Sequence, residues 1–190
     1  IFGGEIRSEF DLTNGEWGGL YMIATMGSAA LMVWAGGLAD VLRVRLLGII
    51  VVVCLGLACI AMSINQSATI LIAIIFLLRL MGQGMSVHLS AVAMARWFVA
   101  TRGRALAVAA LGFMLGEALL PLLMVWLKSF VDWRTMWIWF GIFYFAMCPV
   151  LAWLLRLERT PQTVAEESET TGMNGKHWTR ADALRHPVFW

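Results

Sequence analysis

The sequence predicts an all-α integral membrane protein, a polytopic helical bundle with five transmembrane helices. Hydrophobic residues make up 61% of the 190 residues and charged residues only 14%, and the mean hydropathy is +0.79. Soluble domains have about 45–50% apolar and about 25% charged residues. Five apolar runs, each near the ~20 residues that a helix needs to cross a bilayer, alternate with short polar connections.

Polarity divides the chain into three regions. Residues 1–16 are polar and acidic, and Asn14-Gly15 is typical of a turn, so we expect a solvated extracytoplasmic loop there. The region 17–157 contains the five spans, predicted at 17–38, 46–64, 68–95, 105–127 and 135–155. The region 158–190 is polar, and we interpret it as a cytoplasmic loop followed by the start of another helix.

The limits of the spans follow from local features. Trp17 and Tyr21 suit a membrane interface at the start of the first span. The second span ends at the polar turn that begins with Asn65. The third is longer than a bilayer requires, so it is expected to tilt or protrude. A polar connection from Lys128 to Arg134 separates the fourth span from the fifth.

The distribution of arginine predicts the orientation of the spans. Short loops rich in Lys and Arg stay on the cytoplasmic side of a membrane. One side of the predicted bundle carries Arg43, Arg45, Arg96, Arg102, Arg104, Arg156 and Arg159. We therefore expect cytoplasmic loops at 39–45, 96–104 and 156–190, in a multi-pass protein of the cell (inner) membrane.

Several functional classes lack support in the sequence. The net charge of +2 provides no basic patch for nucleic acid. Cys54, Cys59 and Cys148 lie in apolar runs without zinc spacing, and the three histidines are too scattered for a metal site. There is no Ser–His–Asp arrangement and no Walker-type loop. We expect no metal, no cofactor and no enzymatic activity.

The connection between the first two spans resembles the loop motif of the major facilitator superfamily. That motif reads Gly-x-x-x-Asp, followed by Arg and then Gly-Arg-Arg. Four positions match it: Gly36, Leu38, Asp40 and Arg45. Val41 stands where the family has an arginine, and Arg43 where it has its second glycine.

Later motifs extend this resemblance over nearly the whole chain. Arg79 to Gly84 is similar to the family's fourth-helix motif, an arginine followed by close glycines. Gly112-x-x-x-Gly116 with Pro121 is similar to the glycine–proline motif of its fifth helix. Asp132-Trp133-Arg134 is similar to the entry of its sixth helix.

The resemblance implies a partial major facilitator fold. Residues 17–157 would be helices two to six of the amino-terminal half, and 158–190 the central cytoplasmic loop. We interpret the chain as a fragment without the first helix and the carboxy-terminal half. The runs Arg96-Trp97-Phe98 and Arg102-Gly103-Arg104-Ala105 are similar to those of the monocarboxylate and oxalate–formate transporters.

Four residues form the predicted gating loop: Gly36, Asp40, Arg43 and Arg45. In the family the charge of this loop is implicated in gating, and the resemblance implies that role for Asp40. A carboxylate can accept hydrogen bonds from the amino end of a neighbouring helix, and such bonds can form in one transporter state and break in another. The alternative is that Asp40 is a solvated helix cap and a topology signal.

Arg79, within the third span, is the first candidate for a substrate pathway. At 100° per residue, Gln83 and Ser86 fall on the same helix face and make one polar stripe with it. A guanidinium offers a bidentate fork to a carboxylate, so Arg79 could face a central cavity and bind an anionic group. The alternative is a structural arginine that donates to carbonyl groups of a neighbouring helix.

Glu117, near the middle of the fourth span, is the candidate for proton coupling. Pro121 follows four residues later, so the carbonyl of Glu117 loses its helical donor. A carboxylate in apolar surroundings can take up and release a proton during a transport cycle, or pair with Arg79 when substrate is absent. The alternatives are a packing hydrogen bond in the protonated form and, at a high cost, exposure to lipid.

Small residues in the third and fourth spans predict close helix packing. These are Gly82 and Gly84 in the third span, and Gly112 and Gly116, with Pro121, in the fourth. Smooth contacts of this kind would also let helices rock during transport.

The sequence and the resemblance together predict a secondary active transporter for a small solute, working by alternating access. The expected substrate is an organic anion of the monocarboxylate type, with protons as the coupling ion, the lipid bilayer as surroundings and a monomeric complete protein. The alternatives are a drug or metabolite efflux antiporter of the same superfamily and an integral membrane enzyme.

Overall fold

A computed structural model describes residues 2–98, 101–157 and 185 of the chain. The helices are α1 Gly3–Glu9, α2 Asn14–Ala35, α3 Leu38–Val41, α4 Val44–Ile64, α5 Ala68–Leu78, a π-helical segment Arg79–Ser86, α6 Val87–Trp97, α7 Arg102–Leu127, α8 Trp133–Leu154 and a 3₁₀ turn Leu155–Leu157. No strand occurs among the described residues. The prediction for 158–190 falls outside them, apart from Arg185.

The prediction of five transmembrane helices is confirmed. Five segments are long and apolar enough to cross a membrane: Asn14–Val41, Val44–Ile64, Ala68–Trp97, Arg102–Leu127 and Trp133–Leu154. Their limits lie within a few residues of the predicted ones. The third segment, which includes α5, the π-helical segment and α6, has 30 residues, and this agrees with its predicted excess length.

The start of α2 corrects the turn predicted at Asn14-Gly15, because both residues are helical. Thr13 precedes them, and its backbone N–H donates to Glu16 Oε2 at 2.9 Å. The Glu16 backbone N–H donates in return to Thr13 Oγ1 at 3.2 Å. This capping box satisfies two donors at the helix start and outweighs the turn preference of Asn-Gly.

The solvated loop predicted for residues 1–16 is also wrong, because α1 forms within it. Ile6 is 3% exposed and belongs to an apolar cluster that includes Met62 and Trp133. Phe2 packs its ring against Trp137, with the ring centroids 5.7 Å apart. The segment is rich in charged residues but also has an apolar face, and burial of that face stabilises the helix.

Helix α4 lies at the centre of the packing and contacts α8, α5, the π-helical segment and α6. Its buried side chains include Leu47, Val51 and Leu55, which pack with Met85 and Leu89. Small residues bring α4 and α8 close together. A Cβ added to Gly141 would lie 2.6 Å from Ile60 Cδ1 and 3.2 Å from the Gly56 carbonyl oxygen. A glycine is therefore needed at this crossing.

The Arg134 cluster, formed by Arg134, Glu9, Ser63, Asn65 and Trp133, joins three helices at one end of the bundle. Arg134 Nε donates to Glu9 Oε1 at 2.9 Å, and Trp133 Nε1 donates to Glu9 Oε2 at 3.1 Å. Arg134 also donates to the carbonyl oxygens of Ser63 and, at 2.7 Å, of Asn65. These carbonyls end α4 and lack helical donors. One guanidinium thus completes α4 and binds α1 to α8.

The opposite end of the bundle carries the connection between α2 and α4, since consecutive long helices run in alternating directions. We call it the Asp40 end, and the end with the Arg134 cluster the Arg134 end. At the Arg134 end, Lys128 is a second residue that binds α1. It forms an ion pair with Glu5, and its Nζ lies 5.7 Å from the centroid of the Phe2 ring.

Replacement of Arg134 is expected to destabilise the protein. Arg134→Leu removes the donors of two helix-end carbonyls and of Glu9 Oε1, a loss of about 1.5–3 kcal/mol for hydrogen bonds to a charged group. Unfolding of the purified protein in detergent, followed by tryptophan fluorescence, measures the change. Arg104→Leu, at an exposed arginine of α7, is the matched control. Equal unfolding of the two variants would contradict the assigned role of the cluster.

The ion pair between Glu5 and Lys128 predicts a dependence on pH. The Lys128 hydrogen bond holds the pKa of the Glu5 carboxyl below its ordinary value. The pair therefore contributes stability at neutral pH, and the contribution disappears as the pH falls below the glutamate range near about 4.3 and through the lowered pKa. We expect Glu5→Gln to lower the melting temperature at pH 7 and to match wild type in acid.

The control for this experiment is Asp11→Asn, at an exposed carboxylate of the same segment. A difference between Glu5→Gln and wild type that stayed constant down to pH 3 would show that the ion pair does not stabilise α1.

Candidate functional site

Arg79 to Ser86 forms a π-helix, which the sequence analysis did not predict. Its hydrogen bonds reach one residue further than those of an α-helix, so each turn contains more residues. A spacing of seven residues consequently does not return to the same face, and the predicted stripe of Arg79, Gln83 and Ser86 is not a straight line. Ser86 Oγ donates to the Met81 carbonyl oxygen of its own helix at 2.8 Å, and Gln83 is exposed.

Arg79 is half-buried and points towards α2. Its Nε donates to Thr25 Oγ1 at 3.3 Å, and its guanidinium lies 5.0 Å from the centroid of the Tyr21 ring. A cation over an aromatic face is attracted by the ring quadrupole. No ion pair between Arg79 and a carboxylate forms among the described residues. The charge of Arg79 is thus held in place by a hydroxyl and a ring, without a counter-charge in this part of the chain.

Glu117 is exposed on α7, and the structure does not pair it with Arg79. It lines an open depression of about 600 Å³ together with Gly112, Gly116 and Pro121. Helix α7 continues through Pro121 to Leu127. Within the described part of the chain, α7 packs mainly against α6. Most of its apolar side chains are therefore exposed there.

The predicted gating loop lies where α2 ends and α4 begins. Gly36 ends α2, and its carbonyl oxygen is 3.0 Å from His88 Nε2 on α6. Asp40 lies on α3 with its side chain 81% exposed, and its Oδ1 is 3.4 Å from Arg96 Nη2. Arg43 precedes α4 and is exposed, as is Arg45 in its first turn.

The glycines predicted to pack helices divide into two groups. A Cβ on Gly84 would lie 3.1 Å from Met32 Sδ of α2, and one on Gly82 3.5 Å from Leu55 Cδ2 of α4. A Cβ on Gly112 would meet nothing within 4 Å, and one on Gly116 only Leu120 of the same helix. The third span therefore uses its glycines for helix contacts, whereas α7 presents its glycines to the open depression.

An apolar cavity of about 570 Å³ lies between α4, α5, the π-helical segment, α7 and α8. Its lining includes Cys59, Gly82, Met124, Phe140 and Tyr144. Trp137 also lines it, and the buried Nε1 of that indole has no hydrogen-bond partner among the described residues. This cavity was not predicted, because its residues come from four separate parts of the sequence.

A family model for the Major Facilitator Superfamily matches residues 2–190. The chain belongs to this superfamily. No curated protein and no solved structure gave a match. Members of the superfamily are secondary transporters of small solutes that lie within a membrane, and this describes the general class of the present protein.

Membership confirms the predicted superfamily and the predicted transporter class. The superfamily consists of transporters rather than enzymes, which agrees with the prediction that the protein is not an enzyme. The subgroup, the substrate and the coupling ion are finer predictions that remain predictions.

Two features were not predicted from the sequence, the π-helix and the contacts of His88 and Arg96. Gly82 and Gly84 flank Gln83, and glycine is a poor helix former, so a departure from the regular α-helix could have been expected there. The contacts of His88 and Arg96 with the α2–α4 connection had no local signal, since more than 50 residues separate the partners.

The two glycine groups predict opposite results for one substitution. Gly84→Val would force a branched side chain against Met32 and should lower the melting temperature in detergent. Gly112→Val, the matched control, would extend into open space and should change the unfolding free energy by less than about 0.5 kcal/mol. A larger loss for Gly112→Val would show that α7 packs against protein outside the described residues.

Proposed function

We propose that this protein is a secondary active transporter that moves a small organic anion of the monocarboxylate type by alternating access, with protons as the coupling ion. The observation that carries the proposal is the position of Arg79. A cationic side chain in a membrane-spanning helix costs at least a few kcal/mol unless it serves a partner or a pathway. Arg79 has no carboxylate partner among the described residues, so an anionic solute is a suitable counter-charge.

The surroundings of Arg79 support a binding role. Thr25 and Tyr21 hold Nε and one face of the guanidinium, which fixes its orientation before a ligand arrives. The two terminal nitrogens take no part in the hydrogen bond to Thr25 and present the fork that matches a carboxylate. Preorganisation of this kind reduces the entropy lost on binding.

Glu117 is proposed as the proton carrier. It is the one acidic residue of the span Arg102–Leu127, and Pro121 removes the donor to its backbone carbonyl. Its exposure on α7 leaves the carboxyl accessible to a proton pathway formed with other parts of the transporter. Arg79 and Glu117 lie on different helices without contact, so the anion site and the proton site are separate in this proposal.

The Asp40 end is proposed to face the cytoplasm. Arg43, Arg45, Arg96, Arg102 and Arg104 all lie at this end, and arginine in short loops is retained on the cytoplasmic side. At the Arg134 end the basic residues are offset by acidic ones, because Lys128 pairs with Glu5 and Arg134 with Glu9.

A second candidate function, efflux of an apolar drug or metabolite in exchange for protons, is favoured by a different observation. The cavity between α4 and α8 is large enough for a drug-sized ligand and is lined mostly by apolar and aromatic side chains, as such ligands require. Its buried Trp137 Nε1 offers one hydrogen bond to an acceptor on a ligand.

Uptake into proteoliposomes tests the proposal. We expect uptake of one of lactate, pyruvate, formate or oxalate, driven by an imposed pH gradient, and no uptake of a sugar. Arg79→Ala should abolish it, and Arg79→Lys should weaken binding because a single ammonium cannot form the bidentate contact. Glu117→Gln should transport with no dependence on the gradient.

The control for these variants is Arg104→Ala, at an exposed arginine outside the proposed pathway. Uptake that responds to a counter-anion inside and not to the gradient would indicate an antiporter instead. Absence of uptake for every acid, together with transport of an apolar dye, would replace the organic-anion proposal with the efflux function.

A further inference from the structure

A groove of about 390 Å³ lies at the Arg134 end, beside the starts of α2 and α5. Both helices begin at this end, α2 at Asn14 and α5 at Ala68. We call it the α2–α5 groove. Its lining includes Glu16, Gly19, Leu20, Ile23, Thr69 and Ile72.

The lining of the groove changes from polar to apolar along the helices. Glu16 lies in the first turn of α2, and Ile23 lies seven residues later, which is about 10 Å further along the helix axis. Trp17 and Tyr21, whose ring centroids are 6.0 Å apart, lie at the level of Glu16, and such side chains suit a membrane interface. The polar end of the groove therefore lies at the level of lipid headgroups and its apolar end at the level of acyl chains.

Glu16 gives the polar end of the groove a negative charge that is only partly used. Its Oε2 accepts from the Thr13 backbone N–H at 2.9 Å and from Thr13 Oγ1 at 2.7 Å. Its Oε1 takes part in neither bond, and no cationic side chain pairs with Glu16 among the described residues. The capping box thus holds the carboxylate in place and leaves one oxygen open to a donor.

These features match the order of groups in one kind of phospholipid. A primary ammonium has three N–H donors for a carboxylate, whereas the trimethylammonium of choline has none. Thr69, on the α5 side of the groove, has a hydroxyl that can donate to a phosphate oxygen. An ethanolamine phospholipid contains the ammonium, the phosphate and then the acyl chains, in the order of the acidic, hydroxyl and apolar parts of the groove.

We propose that the α2–α5 groove binds one molecule of phosphatidylethanolamine. The ammonium donates to Glu16, and an acyl chain lies along Leu20, Ile23 and Ile72. The site is separate from Arg79, which donates to Thr25, so the proposal does not depend on the substrate that is transported. A lipid that binds only the folded protein also raises its stability by mass action.

The first test compares three phospholipids that have identical acyl chains and ethanolamine, choline or glycerol headgroups. Native mass spectrometry of the purified protein measures the dissociation constant of each. We expect the ethanolamine lipid to bind about fivefold more tightly than the other two, the upper end of the range for an exposed ion pair.

The second test removes the charge of Glu16. Glu16→Gln keeps the capping box, because glutamine has the same role at this helix position, but it cannot pair with an ammonium. We expect this variant to bind the three lipids equally. Asp11→Asn, at an exposed carboxylate that does not line the groove, is the matched control and should keep the preference.

The third test fills the groove. A Cβ added to Gly18 or to Gly19 would meet nothing within 4 Å, but only Gly19 lines the groove. We expect Gly19→Leu to weaken binding of the ethanolamine lipid about tenfold, which corresponds to lost contacts of about two methylene groups. The lipid should then raise the melting temperature less than in wild type. Gly18→Leu, the matched control, should bind as wild type does.

Four results would overturn the proposal. Equal binding of the three lipids by wild type would show that lipids surround α2 and α5 without preference. A preference that survives Glu16→Gln would show that its carboxylate does not select the headgroup. Equal effects of Gly19→Leu and Gly18→Leu would show that the lipid lies outside the groove. Displacement of the lipid by an equal concentration of glycerophosphoethanolamine would show that the ligand is a soluble ammonium compound.

The comparison of the three lipids requires no substitution. It therefore tests the proposal even if Gly19→Leu fails to fold. Failure of every acid in the uptake experiment, together with the expected lipid preference, would overturn the proposed substrate and leave the lipid site supported.

Discussion

The structure depends on the donors that helix-end carbonyl groups obtain from side chains of other helices. Each long helix leaves its last carbonyl groups without intrahelical partners. At the Arg134 end, Arg134 fills this need for α4 and binds Glu9 of α1 at the same time. At the Asp40 end, His88 Nε2 lies 3.0 Å from the Gly36 carbonyl oxygen at the end of α2, and Arg96 donates to the Ala39 carbonyl oxygen of α3. Long-range contacts between helices are therefore also helix caps.

The two ends of the bundle differ in how completely their arginine side chains are hydrogen-bonded. At the Arg134 end, all three guanidinium nitrogens of Arg134 donate hydrogen bonds, and the cluster joins α1, α4 and α8. At the Asp40 end, Arg96 has a buried Nη1 without a partner among the described residues, and 81% of the Asp40 side chain is exposed. Between them lies the π-helical segment, where Arg79 is oriented by α2 and the glycines allow close contact with α2 and α4.

Helix α7 and the cavity beside it define the other half of the candidate site. The residues of α7 that the sequence singled out, Gly112, Gly116, Glu117 and Pro121, all border one open depression. The apolar cavity between α7, α8 and α4 lies apart from Arg79, whose side chain points to α2. An anion at Arg79 would lie next to α2, whereas an apolar solute in the cavity would contact α4, α7 and α8. The two candidate functions therefore use different residues of the bundle.

The sequence by itself determined the elements and the class of the protein. In a bilayer, a run of about 20 apolar residues can satisfy its backbone hydrogen bonds only as a helix, and this predicted the five spans. The loop and glycine motifs indicated the superfamily. Tertiary structure decided what individual polar residues contact. Helix α1 is ordered because Ile6 and Phe2 pack in an apolar cluster, and Arg79 and Glu117 stay apart because Arg79 contacts α2 while Glu117 is exposed on α7. His88 and Arg96 acquired partners more than 50 residues away, which no local pattern specifies.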